Sequence, residues 1–138
     1  MGIDFSSFRD RFTLHWFTMT STKVMSRGEW DDVVLGYWGE MSSLTGSSRG
    51  IRVLGVYEPS DDGKRLHIHG VCDLRGGVWD FSNAEASRHL TERVGWGSDM
   101  VVKRTGRSDH IQRRRFYEYM VKSGGVYGVL GPELVGKG

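Results

Sequence analysis

Three groups of side chains in this sequence stand at spacings that chemistry can use. His67 and His69 flank Ile68 in the segment Leu66-His67-Ile68-His69-Gly70. Successive side chains of a strand leave opposite faces, so both imidazoles share one face while Leu66, Ile68 and Cys72 share the other. Two neutral imidazoles can begin a divalent metal site but need a further ligand to hold the ion well. Alone, a His-x-His pair more often marks two exposed histidines on a half-exposed strand.

Glu58 shifts that balance. Pro59-Ser60-Asp61-Asp62-Gly63 has the chemistry of a turn. A hairpin centred on Asp62-Gly63 sets Glu58 directly opposite His67, where cross-strand Cβ atoms lie ~4.5–5.5 Å apart on one face. A carboxylate beside two imidazoles is a mixed nitrogen and oxygen donor set with open positions, suited to Mg²⁺ or Mn²⁺ and a substrate phosphate. A slip of one residue would send Glu58 to the other face. Its competing role is an ion pair with Lys64 or Arg65 across the turn.

The third group lies in Arg113-Arg114-Arg115-Phe116-Tyr117-Glu118-Tyr119-Met120-Val121-Lys122-Ser123. At about 100° per residue, Tyr117 and Tyr119 point some 200° apart and cannot both face one site. Phe116, Tyr119, Met120 and Ser123 form one side of the helix, and Tyr117 goes with Arg113 and Val121. Lys122 neighbours Tyr119 at i+3, where its charge could lower the phenol's pKa or neutralise a phosphate. A half-buried aromatic beside a snorkelling lysine explains the same spacing.

The elements that must position these residues follow from patterning. Phe12 to Thr20 is rich in aromatic and β-branched residues and reads as a strand. Ser26 and Glu29 have capping-box spacing, and Trp30, Val33, Val34, Tyr37, Trp38, Met41 and Leu44 then form one apolar helical stripe. Gly46 to Gly50 ends that helix. Ile51 to Glu58 and Arg65 to Leu74 read as an antiparallel hairpin. A second capping box, Ser82 with Glu85, opens a second helix, Asp99 to Arg104 is a fourth strand, and Asp109 to about Ser123 is a third helix. The Gly-rich tail from Val126 has strand-like pieces without an assigned place. The order predicts an α+β fold, the split βαβ arrangement of ferredoxin-like (RRM-like) domains. It has an antiparallel sheet, helices on one face and a C-terminal tyrosine-bearing helix.

With 138 residues, no repeat and no linker, the sequence reads as one domain over residues 1–138. No run approaches the ~20 apolar residues of a membrane span, and the N-terminus lacks a signal core. The single Cys72 suits a reducing compartment, so a cytoplasmic, non-secreted protein is expected. The net charge of +2 does not announce nucleic acid. Its distribution is more telling: Lys103, Arg104, Arg107, Arg113, Arg114, Arg115 and Lys122 face only Asp109 and Glu118 between residues 101 and 122.

Taken together, these pieces resemble the HUH endonuclease superfamily, and especially the rolling-circle replication initiators of small single-stranded DNA phages and viruses of the microvirus type. Trp16 to Thr20 looks like the first initiator motif. Glu58 to Gly70 looks like the second, with the glutamate nine residues before the first histidine. Tyr119 to Lys122 is similar to the Tyr-x-x-Lys third motif, and Trp96 to Val102 resembles the segment preceding the tyrosine helix. The resemblance implies that Glu58, His67 and His69 hold one divalent metal. It implies that Tyr119 attacks the scissile phosphodiester, leaving a 5′-phosphotyrosine and a free 3′-hydroxyl, with Lys122 assisting. The implied substrate is a single-stranded origin, presented on a stem-loop, and the host replication machinery is an implied partner in the host cytoplasm. The basic stretch and Trp96 would then hold DNA by phosphate contacts and stacking.

Tyr117 is the alternative nucleophile, although only Tyr119 has the lysine at the family spacing. No helicase segment follows the third motif, which suits a minimal initiator or an endonuclease domain. A single-tyrosine insertion-sequence transposase would share the chemistry, but there a glutamine of the tyrosine helix usually supplies the third ligand, and none follows Tyr119. A non-catalytic ferredoxin-like nucleic-acid-binding module is the remaining alternative, with Trp16, Phe17 and Tyr57 as sheet aromatics. It gives no reason for Glu58, His67, His69 and Tyr119 to coincide.

Overall fold

The computed structural model describes residues 14–47, 50–74, 76–104 and 129–130. They form strand β1 (Leu14–Ser21), helix α1 (Arg27–Thr45), strands β2 (Arg52–Pro59) and β3 (Leu66–Asp73), helix α2 (Asn83–Val94), and strands β4 (Ser98–Arg104) and β5 (Val129–Leu130). The fold is α+β: four antiparallel strands carry two helices, and the two-residue β5 extends the sheet in the order β4-β1-β3-β2-β5. The expected C-terminal helix, with Tyr117, Tyr119 and Lys122, lies outside the described residues, as do Arg107, Arg113, Arg114 and Arg115.

Both expected capping boxes are present. Ser26 accepts from the Glu29 amide and Ser82 from the Glu85 amide, each at 3.1 Å, while each glutamate accepts in return from the cap residue's own amide. These bonds satisfy donors that a helix start otherwise leaves without partners. The same bonds hold both glutamate carboxyls below their ordinary range. Each helix ends on a glycine in the left-handed region, Gly46 (φ 75°) and Gly95 (φ 83°), a conformation that costs glycine no Cβ clash.

Alternation divides the sheet into two faces. Phe17, Met19, Val53, Tyr57, Ile68, Cys72 and Met100 point to one face and are buried there. Trp30, Val34, Tyr37, Trp38 and Met41 of α1 join Ala86, Leu90 and Val94 of α2 against them in a single core. Burial pushes the Cys72 thiol well above its usual range, so it behaves as a core residue. Leu44, the last member of the sequence stripe, is instead 53% exposed. The helix's final turn presents Thr45 to the core, where its hydroxyl donates to the Met41 carbonyl at 2.7 Å and its own carbonyl accepts from Val78 N–H.

Edge strand β4 is sealed by helix α2. The amides of Ser98, Met100 and Val102 donate to Thr91 Oγ1, Ser87 Oγ and Asn83 Oδ1 at 3.0, 2.8 and 3.0 Å. Three side chains one turn apart on α2 thus meet alternate amides of the strand, covering an edge that could otherwise pair with another chain. Among the described residues, no helix is long and apolar enough to cross a membrane.

Candidate metal centre

The β2–β3 hairpin has the register that its turn chemistry predicts. Glu58 pairs with His67, and Val56 with His69. Ser60 N–H donates to the Arg65 carbonyl at 2.7 Å and Gly63 N–H to the Ser60 carbonyl at 2.8 Å. Gly63 takes φ 68°, which favours glycine there. Arg65 stands 3.9 Å from Asp62, and that partner lies within the turn. The Glu58 carboxylate turns to the histidines.

Glu58 Oε2 stands 3.3 Å from His67 Nε2 and 3.3 Å from His69 Nε2. The two rings meet edge to face, with centroids 4.7 Å apart and planes at 77°. One ligand atom from each of the three residues lies within 4.8 Å of the other two. Ligands about 2.1 Å from a shared ion stand about 3.0–3.4 Å apart at octahedral or tetrahedral angles. The two carboxylate–imidazole separations fall in that range. The three side chains are 14–25% exposed, which leaves room for a substrate oxygen.

Strand β1 supplies a fourth member. Thr18 pairs with His69 across the β1–β3 ladder, and Thr18 Oγ1 is 3.0 Å from His69 Nδ1. In the tautomer that donates Nδ1–H to Thr18, Nε2 keeps its lone pair toward Glu58. Burial, reinforced by the neighbouring His67, lowers the His69 pKa against the opposing pull of Glu58, which favours the neutral, ligating form. Two imidazoles turned Nε2-first toward one carboxylate place three electron-pair donors around a point, a set that a divalent cation satisfies. The donor set therefore fits the metal expected from the sequence.

The chain behind the site is anchored from the other face. Tyr57 donates its hydroxyl to Asp31 Oδ1 of α1, and the Arg27 guanidinium lies 5.4 Å from the Tyr57 ring centre. These contacts tie α1 to the strand residue before Glu58. Gly55, next but two before Glu58, is tightly placed: a Cβ there would stand 3.1 Å from the His69 carbonyl oxygen. A side chain at 55 would require the β2–β3 pair to give by a few tenths of an ångström beside His69.

Of the other residues singled out in the sequence, Lys103 is exposed and pairs with Trp16 on the sheet face that bears the histidines. Arg104 closes β4. Trp96, 60% exposed, stands in the loop between α2 and β4. Thr18 has no role in the sequence reading, although it lies within the Trp16-to-Thr20 motif. Its signal is the pairing of β1 with β3, which no local turn reveals. A search of protein-family models, curated proteins and solved structures finds no match to this chain.

Proposed function

We propose that this protein is an HUH-type single-stranded DNA endonuclease with a ferredoxin-like core, and that it nicks and rejoins DNA to initiate rolling-circle replication. The carrying observation is the convergence of Glu58, His67 and His69 on one sheet face, with His69 oriented by Thr18. The sequence adds a tyrosine with a lysine three residues later, Tyr119 and Lys122. A carboxylate from β2 as third ligand favours an initiator over a transposase that draws this ligand from its tyrosine helix.

In this reading Glu58, His67 and His69 would hold Mg²⁺ or Mn²⁺. The bound ion would polarise the scissile phosphodiester and stabilise charge on its oxygens. Glu58 supplies the negative charge of the donor set, and Thr18 keeps His69 in its ligating orientation. The Tyr119 oxygen attacks phosphorus, its proton passing to solvent. The bond from phosphorus to the 3′-oxygen breaks, and that oxygen takes a proton to become the free 3′-hydroxyl. The DNA remains joined through its 5′-phosphate to Tyr119. Lys122 offsets the charge that builds on the phosphate. Attack by a 3′-hydroxyl on the phosphotyrosine reverses the step and rejoins the strand.

The test is covalent capture. A pool of hairpin oligonucleotides with randomised single-stranded loops is incubated with the protein and Mn²⁺, and denaturing gels are read for a protein–DNA adduct. The wild type and Tyr117→Phe are expected to give the adduct, and Tyr119→Phe none. An adduct that persists in Tyr119→Phe, or none from any loop in the pool, contradicts the proposal.

A further inference from the structure

The face that carries the histidines continues past them to the sheet edge. Thr20 pairs with Asp99 across β1 and β4, on the same face as Thr18 and His69 by strand alternation. Thr20 and Asp99 form a shared wall between two grooves of about 460 and 490 Å³. The first runs from His67 and Arg65 at one end, past Thr20 on β1, to Ser98 and Asp99 at the other. Asp99 lies on β4 and His67 on β3, with β1 between them, so two strand spacings, about 10 Å, separate them.

The lining is unlike a phosphate channel. Among the described residues, Arg65 is its only side chain with a full positive charge; hydroxyls dominate, and Asp99 adds a negative charge. Phosphates are gripped by arginine, lysine and backbone amides, and a carboxylate repels them. Hydroxyls both donate and accept, and a carboxylate accepts from the amino groups on base edges. In single-stranded DNA those edges are open to such contacts. Among the described lining residues, Arg65 puts a positive charge at the His67 end and Asp99 a negative charge at the other.

We infer that this groove is a base-reading pocket for one nucleotide beside the scissile bond, its phosphate at the His67–Arg65 end and its base at the Thr20–Asp99 end. Asp99 selects a base with an amino group on its exposed edge. Guanine offers a ring N–H and an amino group side by side, cytosine and adenine offer an amino group, and thymine has none. Thymine is the disfavoured base, since its one edge donor, N3–H, is flanked by two carbonyl oxygens that the carboxylate repels. The inference rests on the proposed single-stranded DNA substrate, and it assigns a specificity-determining residue that neither the metal centre nor the tyrosine helix supplies.

The experiment measures fluorescence anisotropy of labelled dT12 and of the same oligonucleotide with one central dG, dC or dA. The full chain is titrated in Mn²⁺. Wild type is expected to bind the dG oligonucleotide about five- to tenfold more tightly than dT12, with dC and dA between. Asp99→Ala should level the four to within about twofold, and Asp99→Asn, which presents an amide N–H to the thymine carbonyls, should shift the preference toward dT12. Asp99 is exposed, so neither variant burdens the core. Equal binding of all four by wild type overturns the inference. So does an Asp99→Ala protein that keeps the preference or tightens on all four alike, because Asp99 would then act as a repulsive charge only. Adduct formation by Tyr119 is read separately, so failure of the base pocket and failure of the endonuclease reading are distinguishable.

Discussion

At the scale of single residues, the candidate centre includes a hydroxyl placed to hold an imidazole. Thr18 Oγ1 lies 3.0 Å from His69 Nδ1, and groups that orient a ligating histidine in this way typically account for about 10- to 100-fold of metal affinity. Thr18→Val, nearly the same shape without the hydroxyl, is therefore expected to weaken Mn²⁺ binding by about tenfold or more while leaving the apo protein folded. Calorimetric titration checks this, with the melting temperature as control. An unchanged affinity would mean that His69 is oriented by packing alone. The three candidate ligands were legible in the sequence because their positions follow from local rules: alternation on β3, and a turn whose residues fix the hairpin register. Thr18 was not legible. Its partner is set by the pairing of β1 with β3, strands separated in sequence by α1 and β2, and no local signal records that register.

At the scale of elements, local chemistry placed the helix starts and the end of α1 at Gly46, and tertiary packing chose which side chain of its last turn is buried. The capping boxes at Ser26 and Ser82 are readable from spacing, but Leu44 leaves the core stripe because Thr45 occupies the inner position of the last turn. The sealing of β4 by Asn83, Ser87 and Thr91 was likewise hidden, since it requires α2 to lie along that strand. Ser82→Ala removes one half of a capping box and is expected to destabilise the protein by about 1 kcal/mol, measured by urea unfolding. The pH dependence follows from the same box. Ser82 holds the Glu85 carboxyl below its ordinary range in the folded state. The unfolded chain therefore binds that proton first as pH falls. The stabilisation is present above the ordinary glutamate pKa and is lost as pH drops through the lower folded value. Glu85→Gln should show a shallower fall in stability across that acidic window than wild type; identical profiles would contradict the assignment.

At the scale of the whole molecule, the proposed binding of DNA by a chain with a net charge of only +2 would rest on a local concentration of charge. Seven basic residues lie between residues 101 and 122. Each phosphate neutralised on a single strand contributes about −0.7 to the slope of log K against log salt, so the whole stretch gives at most about −5. Replacing Arg113, Arg114 and Arg115 by Gln is expected to make that slope shallower by about 2 if all three contact phosphates. A slope unmoved by the triple change would mean that these arginines make no phosphate contacts. The proposed DNA chemistry rests in turn on a metal ion at Glu58, His67 and His69, and Mn²⁺ titration followed by electron paramagnetic resonance tests that site most directly. The account predicts one Mn²⁺ bound per chain with nitrogen hyperfine coupling from imidazole, and loss of that signal in a His67→Ala, His69→Ala double variant that remains folded. Binding of Mn²⁺ that survives the double substitution, or none in the wild type at millimolar metal, would contradict it.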